Sequence, residues 1–128
     1  MTEAAELLSG SLQTERLADG TRKLLRELIV RVGADTIVVP EGFVTDYSSI
    51  PWFGRSLVRW SRVDIAGVVH DFLYQSGQVS RERADEIWRI TAMSGEHSAN
   101  AVQAWLAWAA LRVGGSGAWN SYRSRSTV

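Results

Sequence analysis

The sequence contains no cysteine. That excludes a disulfide framework, a thiol nucleophile and any cysteine-bound zinc site. A fold without cysteines tolerates a reducing compartment. Net charge is also lacking: fourteen basic residues balance fourteen acidic ones. No global field draws the chain towards nucleic acid or an anionic membrane. There is no long hydrophobic run either. The most apolar stretch, ANAVQAWLAWAALRVGG, is interrupted by Asn100, Gln103 and Arg112. It falls short of the roughly 20 apolar residues that a membrane span needs. The opening MTEAAELLSG carries two glutamates and no basic cluster before its short apolar run, unlike a secretory signal. The zinc pattern H-E-x-x-H, a phosphate loop and a dinucleotide fingerprint are all missing.

What is present suits one packed domain. The chain has 128 residues, of which 45% are hydrophobic, enough for a core and too many for wholesale disorder. Residues 1–10 read as a loose start, flexible or helical, 11–115 as the domain, and 116–128 as a Gly/Ser/Arg tail, flexible or docked by Trp119. Asp19-Gly20 is a hairpin turn signal. After it, LLRELIVRV places Leu24, Leu28, Val30 and Val32 in phase, although Leu25 and Glu27 blur the alternation. ADTIVVP is β-branched and ends at Pro40, giving another strand linked through Gly33-Ala34-Asp35. PEGFVTDYSSIPWFG reads as a strand end running into an ordered loop. From about residue 62 the period becomes helical. Gly77 marks a stop, Ser80 an N-cap, and Gly95 the end of a second helix. A third helix covers EHSANAVQAWLAWAALRV. It is apolar on most of its circumference, so it is the most buried helix or half of an interface. Strands first and helices second predict an α+β fold: a small antiparallel sheet of about three strands, then a helical hairpin and a third helix.

The chemistry concentrates in VVHDFLYQSG, residues 68–77. On a helical wheel Ile65, Val68, Val69 and Phe72 form one face. Gly67, His70 and Tyr74 stand nearly opposite, one above another at spacings of three and four. Asp71 lies to one flank. A solvated face normally carries Lys, Glu, Arg and Gln, so a Gly-His-Tyr face is unusual. The short connection at Gly77 folds the next helix back antiparallel and brings Asp85 to the height of His70. Asp85 sits beside Trp88 and Ala92 at the margin of an apolar stripe, where a half-buried carboxylate seeks a partner. A histidine held by a carboxylate suits a general base acting on water. Asp71 is suited to holding a hard divalent cation such as calcium, with Asp46 as a second ligand. The alternative is that His70, Asp71, Tyr74 and Asp85 form a structural polar network.

Other candidates carry weaker signals. Asp46 and Ser49, in FVTDYSSIP, either face the His70 pocket or bond their own backbone in a turn. A triad of Ser49, His70 and Asp85 lacks the nucleophile elbow. His97 reads as exposed at a helix start. Trp88, Trp105 and Trp108 read as core or interface anchors, and Trp52 and Trp60 as the rim of a pocket.

Three motifs in order, VPEGFVTDYSSIP, VVHDFLYQSG and SRERADEIW, resemble a bacteriophage and prophage family labelled domain of unknown function 1353. The resemblance spans roughly residues 10–115. Its marked positions fall on Asp46, Ser49, Pro51, His70, Asp71, Tyr74 and Asp85. It implies a phage-encoded protein in the bacterial host cytoplasm or the virion, and no particular activity. The His-Asp-x-x-Tyr helix is also similar to that of secreted phospholipases of the A2 class. That likeness implies His70 as base on water, Asp71 as calcium ligand, and Tyr74 steadying Asp85. The disulfides and glycine-rich calcium loop of those enzymes are absent, and YSSIPWFG stands where the loop should be. Two functions follow as expectations. One is a phage accessory protein with a metal-assisted hydrolase-like site. The other is a non-enzymatic virion or tail-assembly component, meeting other phage structural proteins through the Trp-rich third helix and the tail.

Overall fold

The computed structural model describes residues 4–45, 63–94 and 101–126. Its most regular strand is the most strictly alternating segment. β4 (Leu28–Val32) turns Leu28, Val30 and Val32 into the core and Arg31 to solvent. β5 (Asp35–Val39) pairs with it antiparallel, Leu28 opposite Val39 and Val30 opposite Ile37. The two residues between them are Gly33 and Ala34. Gly33 has φ 59°, the left-handed backbone that a tight hairpin turn needs. β1 (Ala5–Leu7) pairs with the other side of β4, giving the order β1-β4-β5.

A second sheet has the order β2-β3-β6, from β2 (Thr14–Arg16), β3 (Arg22–Leu24) and β6 (Val44–Thr45). Asp19-Gly20 makes the turn between β2 and β3. The Thr21 amide and hydroxyl both donate to Asp19 Oδ1, at 3.0 and 2.6 Å.

The fold class is α+β, as the order of elements predicts. The single sheet of about three strands is corrected to two three-stranded antiparallel sheets. LLRELIVRV is not one strand. It breaks at Leu25, Arg26 and Glu27, all exposed, between buried Leu24 and Leu28. The blurred alternation there is a corner at which the chain leaves one sheet for the other. Within residues 1–10, read as a loose or helical start, Ala5–Leu7 is neither: it is a strand paired with β4. The Ala5 amide donates to Ser94 Oγ at 3.0 Å, tying that strand to the helical half.

The helical half begins with α1 (Val63–Ser76) and α2 (Arg81–Ala92), packed as a hairpin. Gly77, at φ 66°, ends α1, and its amide donates to the Leu73 carbonyl at 2.9 Å. Ser80 caps α2 by accepting the Arg83 amide at 3.1 Å, with Glu82 in the first turn. α3 (Ala101–Gly114) and α4 (Ser116–Ser126) follow, separated by Gly115. α3 buries Ala110 and Leu111 and exposes Trp105, Leu106 and Val113, so it carries an open apolar face rather than being the most buried helix.

The segment read as a tail is helical. Ala118, Trp119 and Tyr122 of α4 pack on the core, so docking by Trp119 is met in a form that periodicity did not suggest. SGAWNSYRSRS is poor in helix formers. Its helicity comes from tertiary contacts.

The core unites sheet and hairpin: Leu28, Val30, Ile37 and Val39 meet Val68, Val69, Leu73 and Ile87. α1 has almost no wet side. Val68, Val69 and Leu73 are buried on one face, and His70, Asp71 and Tyr74 on the others.

Two glycines give a paired test of the α3–α4 junction. A Cβ on Gly115 would lie 2.6 Å from both the Leu111 carbonyl oxygen and the Tyr74 hydroxyl, whereas one on Gly117 meets nothing within 4 Å. Gly115→Ala is expected to destabilise by about 1–3 kcal/mol through overpacking. Gly117→Ala is expected to leave stability unchanged or raise it by up to about 1 kcal/mol. Urea denaturation of the two variants beside the parent measures both.

Candidate functional site

Helical spacing puts His70 and Tyr74 one turn apart on α1, with ring centroids 4.2 Å apart. The hairpin delivers Asp85 of α2 between them. His70 Nε2 lies 2.7 Å from Asp85 Oδ1, and the Tyr74 hydroxyl donates to the same oxygen at 2.6 Å. The other oxygen, Oδ2, accepts from Arg112 Nη1 of α3 at 3.0 Å, and Arg81 Nε stands 3.9 Å from it. Arg81 also donates to the Tyr74 hydroxyl at 3.3 Å and to the Leu111 and Arg112 carbonyls at 2.7 and 2.8 Å. One carboxylate therefore gathers three helices.

His70, Tyr74 and Asp85 are each 0% exposed. Asp85 was expected to be half-buried. The burial is complete, and α3 brings a guanidinium that makes it tolerable.

Burial alone would push the Asp85 carboxyl up. The hydrogen bond and charge of His70, with the bonds from Tyr74 and Arg112, outweigh it and hold Asp85 below the usual carboxylate range. The Tyr74 hydroxyl moves the other way. Burial raises it, and the neighbouring Asp85 carboxylate raises it further against the opposing effect of Arg81. Asp85 is thus an anion and Tyr74 a neutral donor. An ionised carboxylate only accepts, so Nε2 of His70 carries the proton it gives to Asp85.

Asp71, one position on, points away from this group and is also 0% exposed. Its Oδ2 accepts from the Thr45 hydroxyl of β6 at 2.6 Å and from Gln75 Nε2 at 3.3 Å. Its Oδ1 accepts from the Tyr122 hydroxyl of α4 at 3.4 Å. The flank position predicted for Asp71 is correct in direction, but it is an interior position, not an open one. Among the described residues no three His, Asp or Glu side chains gather in a way that could hold a metal ion. The hydroxyls around Asp71 donate to it, so these residues alone do not fit a divalent cation.

Asp46 and Ser49 fall in residues 46–62, with Pro51, Trp52 and Trp60, and lie outside the described residues. So does His97. The structure therefore brings together His70, Tyr74 and Asp85, sets Asp71 apart on β6 and α4, and leaves Asp46 and Ser49 without a described position.

Sequence reasoning missed Arg81, Arg112, Thr45 and Tyr122. Two of these had a signal. Arg81 precedes Asp85 by four residues, the spacing of neighbours on a helix face. Arg112 is the single charged residue of its helix. Nothing in the tail pointed Tyr122 at Asp71.

Residues 22–111 match the family described as "Protein of unknown function (DUF1353)". The chain belongs to that family. The match takes in β3 through most of α3, and with them His70, Asp71, Tyr74, Arg81 and Asp85; Arg112 and all of α4 lie just beyond it. The searches of curated proteins and of solved structures returned no match. Among the described residues no helix is long and apolar enough to cross a membrane.

Asp85 makes stability depend on pH with a definite sign. Its folded value lies below the ordinary 3.8. The stabilisation is thus complete above that value and is lost as pH falls through the folded one. Asp85→Asn is expected to lose about 3–5 kcal/mol at pH 7, the range for breaking a buried pair. The gap between variant and parent is expected to narrow in urea melts as pH drops below about 4.

Proposed function

We propose that the chain is a phage or prophage accessory protein with a hydrolase-like site, in which His70 is the general base, Asp85 its orienter and Tyr74 the group that steadies Asp85. The supporting observation is the shared oxygen: Asp85 Oδ1 receives both His70 Nε2, at 2.7 Å, and the Tyr74 hydroxyl, at 2.6 Å. An imidazole held in this way has one tautomer and one orientation, the preparation a base needs. In the proposed reaction the His70 imidazole takes a proton from water as the water oxygen adds to the carbonyl carbon of an ester. The imidazolium rests against Asp85. The proton then passes to the departing alkoxide as the ester C–O bond breaks, leaving acid and alcohol. The phage setting, in host cytoplasm or virion, rests on the resemblance of the three motifs. A divalent cation such as calcium at Asp71, with Asp46, is a separable part of the proposal, and no step above runs through it.

A specific observation favours a second reading. His70, Asp71, Tyr74 and Asp85 all have no exposure, and the ion pairs of Asp85 span α2 and α3. On that reading the network is a staple in a virion or tail-assembly component. The exposed Trp105, Leu106 and Val113 of α3 would then meet other phage structural proteins. Nucleic acid is not an expected partner on either reading.

The two readings separate in one assay series. The parent and His70→Gln are tested on short- and long-chain p-nitrophenyl esters and on phospholipid vesicles, with and without calcium. The hydrolase reading expects turnover in the parent that falls roughly 100-fold or more in His70→Gln, the scale of a lost general base. Equal rates in the two proteins sink it. A calcium-dependent thermal shift that disappears in Asp71→Asn is the result expected for the cation; its absence from the parent removes that part.

A further inference from the structure

We infer that α4 is a displaceable strap over the Asp71 side of α1, so that undocking of this helix, and not unfolding of the core, opens that part of the cluster. The inference rests on the site reading above for its functional meaning, but not for its physical content.

Three side chains of α4 converge on the C-terminal half of α1. The Tyr122 hydroxyl reaches Asp71 Oδ1 at 3.4 Å. The Trp119 ring meets the Tyr74 ring edge-on, with centroids 5.3 Å apart. Arg123 Nη2 donates to the carbonyls of Tyr74 and Gln75 at 2.6 and 2.9 Å, and its guanidinium lies over the Trp119 ring at 4.4 Å. Those carbonyls belong to the last turn of α1, where a cation is favoured by the helix dipole. Gly77 leaves the room: a Cβ there would stand 2.6 Å from Arg123 Nη1.

The helix that carries these contacts has little stability of its own. Its eleven residues, SGAWNSYRSRS, include four serines, a glycine and an asparagine. A helix of that length and composition does not hold in water unaided. Docking and helix formation are therefore one event, and loss of the contacts melts α4. The pivot is equally local, since Gly115 alone separates α3 from α4. By contrast α1 and α2 bury Val68, Val69, Leu73, Ala84 and Ile87 in the main core, so they open only with the domain. Elements at the low end of this range are the ones that gate sites. α4 also lies wholly beyond residues 22–111, the part matched to the family.

Native-state hydrogen exchange on the 128-residue chain tests the strap. Amides of α4 are expected to exchange at least about 100-fold faster than those of α1 and α2. Exchange of all three at one common rate overturns it, because α4 is then part of the global unit. Trp119→Ala and Arg123→Gln are expected to abolish α4 protection while α1 keeps its own. Carboxyl footprinting by carbodiimide, read by mass spectrometry, completes the test. Asp71 is expected to become labelled at least about 10-fold faster in both variants, with Asp85 still protected beneath α3. Unchanged labelling of Asp71, or equal labelling of Asp71 and Asp85, overturns the strap. Ester turnover absent from every variant while Asp71 is exposed overturns the hydrolase reading and supports the strap as a separate property.

Discussion

The structure depends on a carboxylate that water does not reach. Leaving Asp85 unpaired at zero exposure would cost several kcal/mol, more than most single contacts return. The fold answers with four donors or cations from three helices: His70 and Tyr74 on α1, Arg81 on α2 itself, and Arg112 on α3. Each helix is thereby placed by a polar requirement as well as by packing. α3 shows this most clearly. It exposes Trp105, Leu106 and Val113, so apolar burial alone does not dictate which way it turns. Arg112 facing Asp85, and the two carbonyls at its end accepting from Arg81, do.

α1 is the consequence at the next level. It is wedged between the core, the partner helix of the hairpin, β6 and α4, and each neighbour takes one of its sides. The core takes Val68, Val69 and Leu73, α2 takes His70 and Tyr74, and β6 and α4 take Asp71. That is why it carries no Lys, Glu or Arg, and why its exposed polar residues, Gln75 and Ser76, sit in its last turn. His70, Asp71 and Tyr74 are interior groups with partners, and the carboxyl groups of Asp71 and Asp85 are turned to different neighbours.

How much of this was legible in the sequence varied with physical range. Local signals read well: the Asp19-Gly20 turn, the Gly77 stop and the Ser80 cap act through a few neighbouring atoms and are written in a few residues. The α+β order and the His70–Tyr74–Asp85 grouping followed from periodicity plus one short loop. What failed needed knowledge of distant partners. Leu25 to Glu27 read as noise in one strand because nothing local says that Leu24 and Leu28 serve different sheets. α4 read as a tail because its helicity is supplied by Trp119, Tyr122 and Arg123 meeting a surface built more than forty residues earlier. Asp85 read as half-buried because its second oxygen is satisfied from α3, 27 residues away.

The same arrangement also bears on how strongly Asp85 acts on His70. A carboxylate shared with Tyr74 and two guanidiniums gives less of its charge to the imidazole than a bare one would. The field of each guanidinium offsets part of the carboxylate's own, and in an interior of low effective dielectric that offset matters. The benefit is geometric. With Oδ2 taken by Arg112, only Oδ1 is left to His70, and Tyr74 at that oxygen leaves the ring one orientation. Asp85 is thus better suited to orienting His70 than to supplying electrostatic force. Asp85 lies deep, under α3, while Asp71 lies under α4. The shared carboxylate is held by three helices, and Asp71 is covered by the element with the least stability of its own.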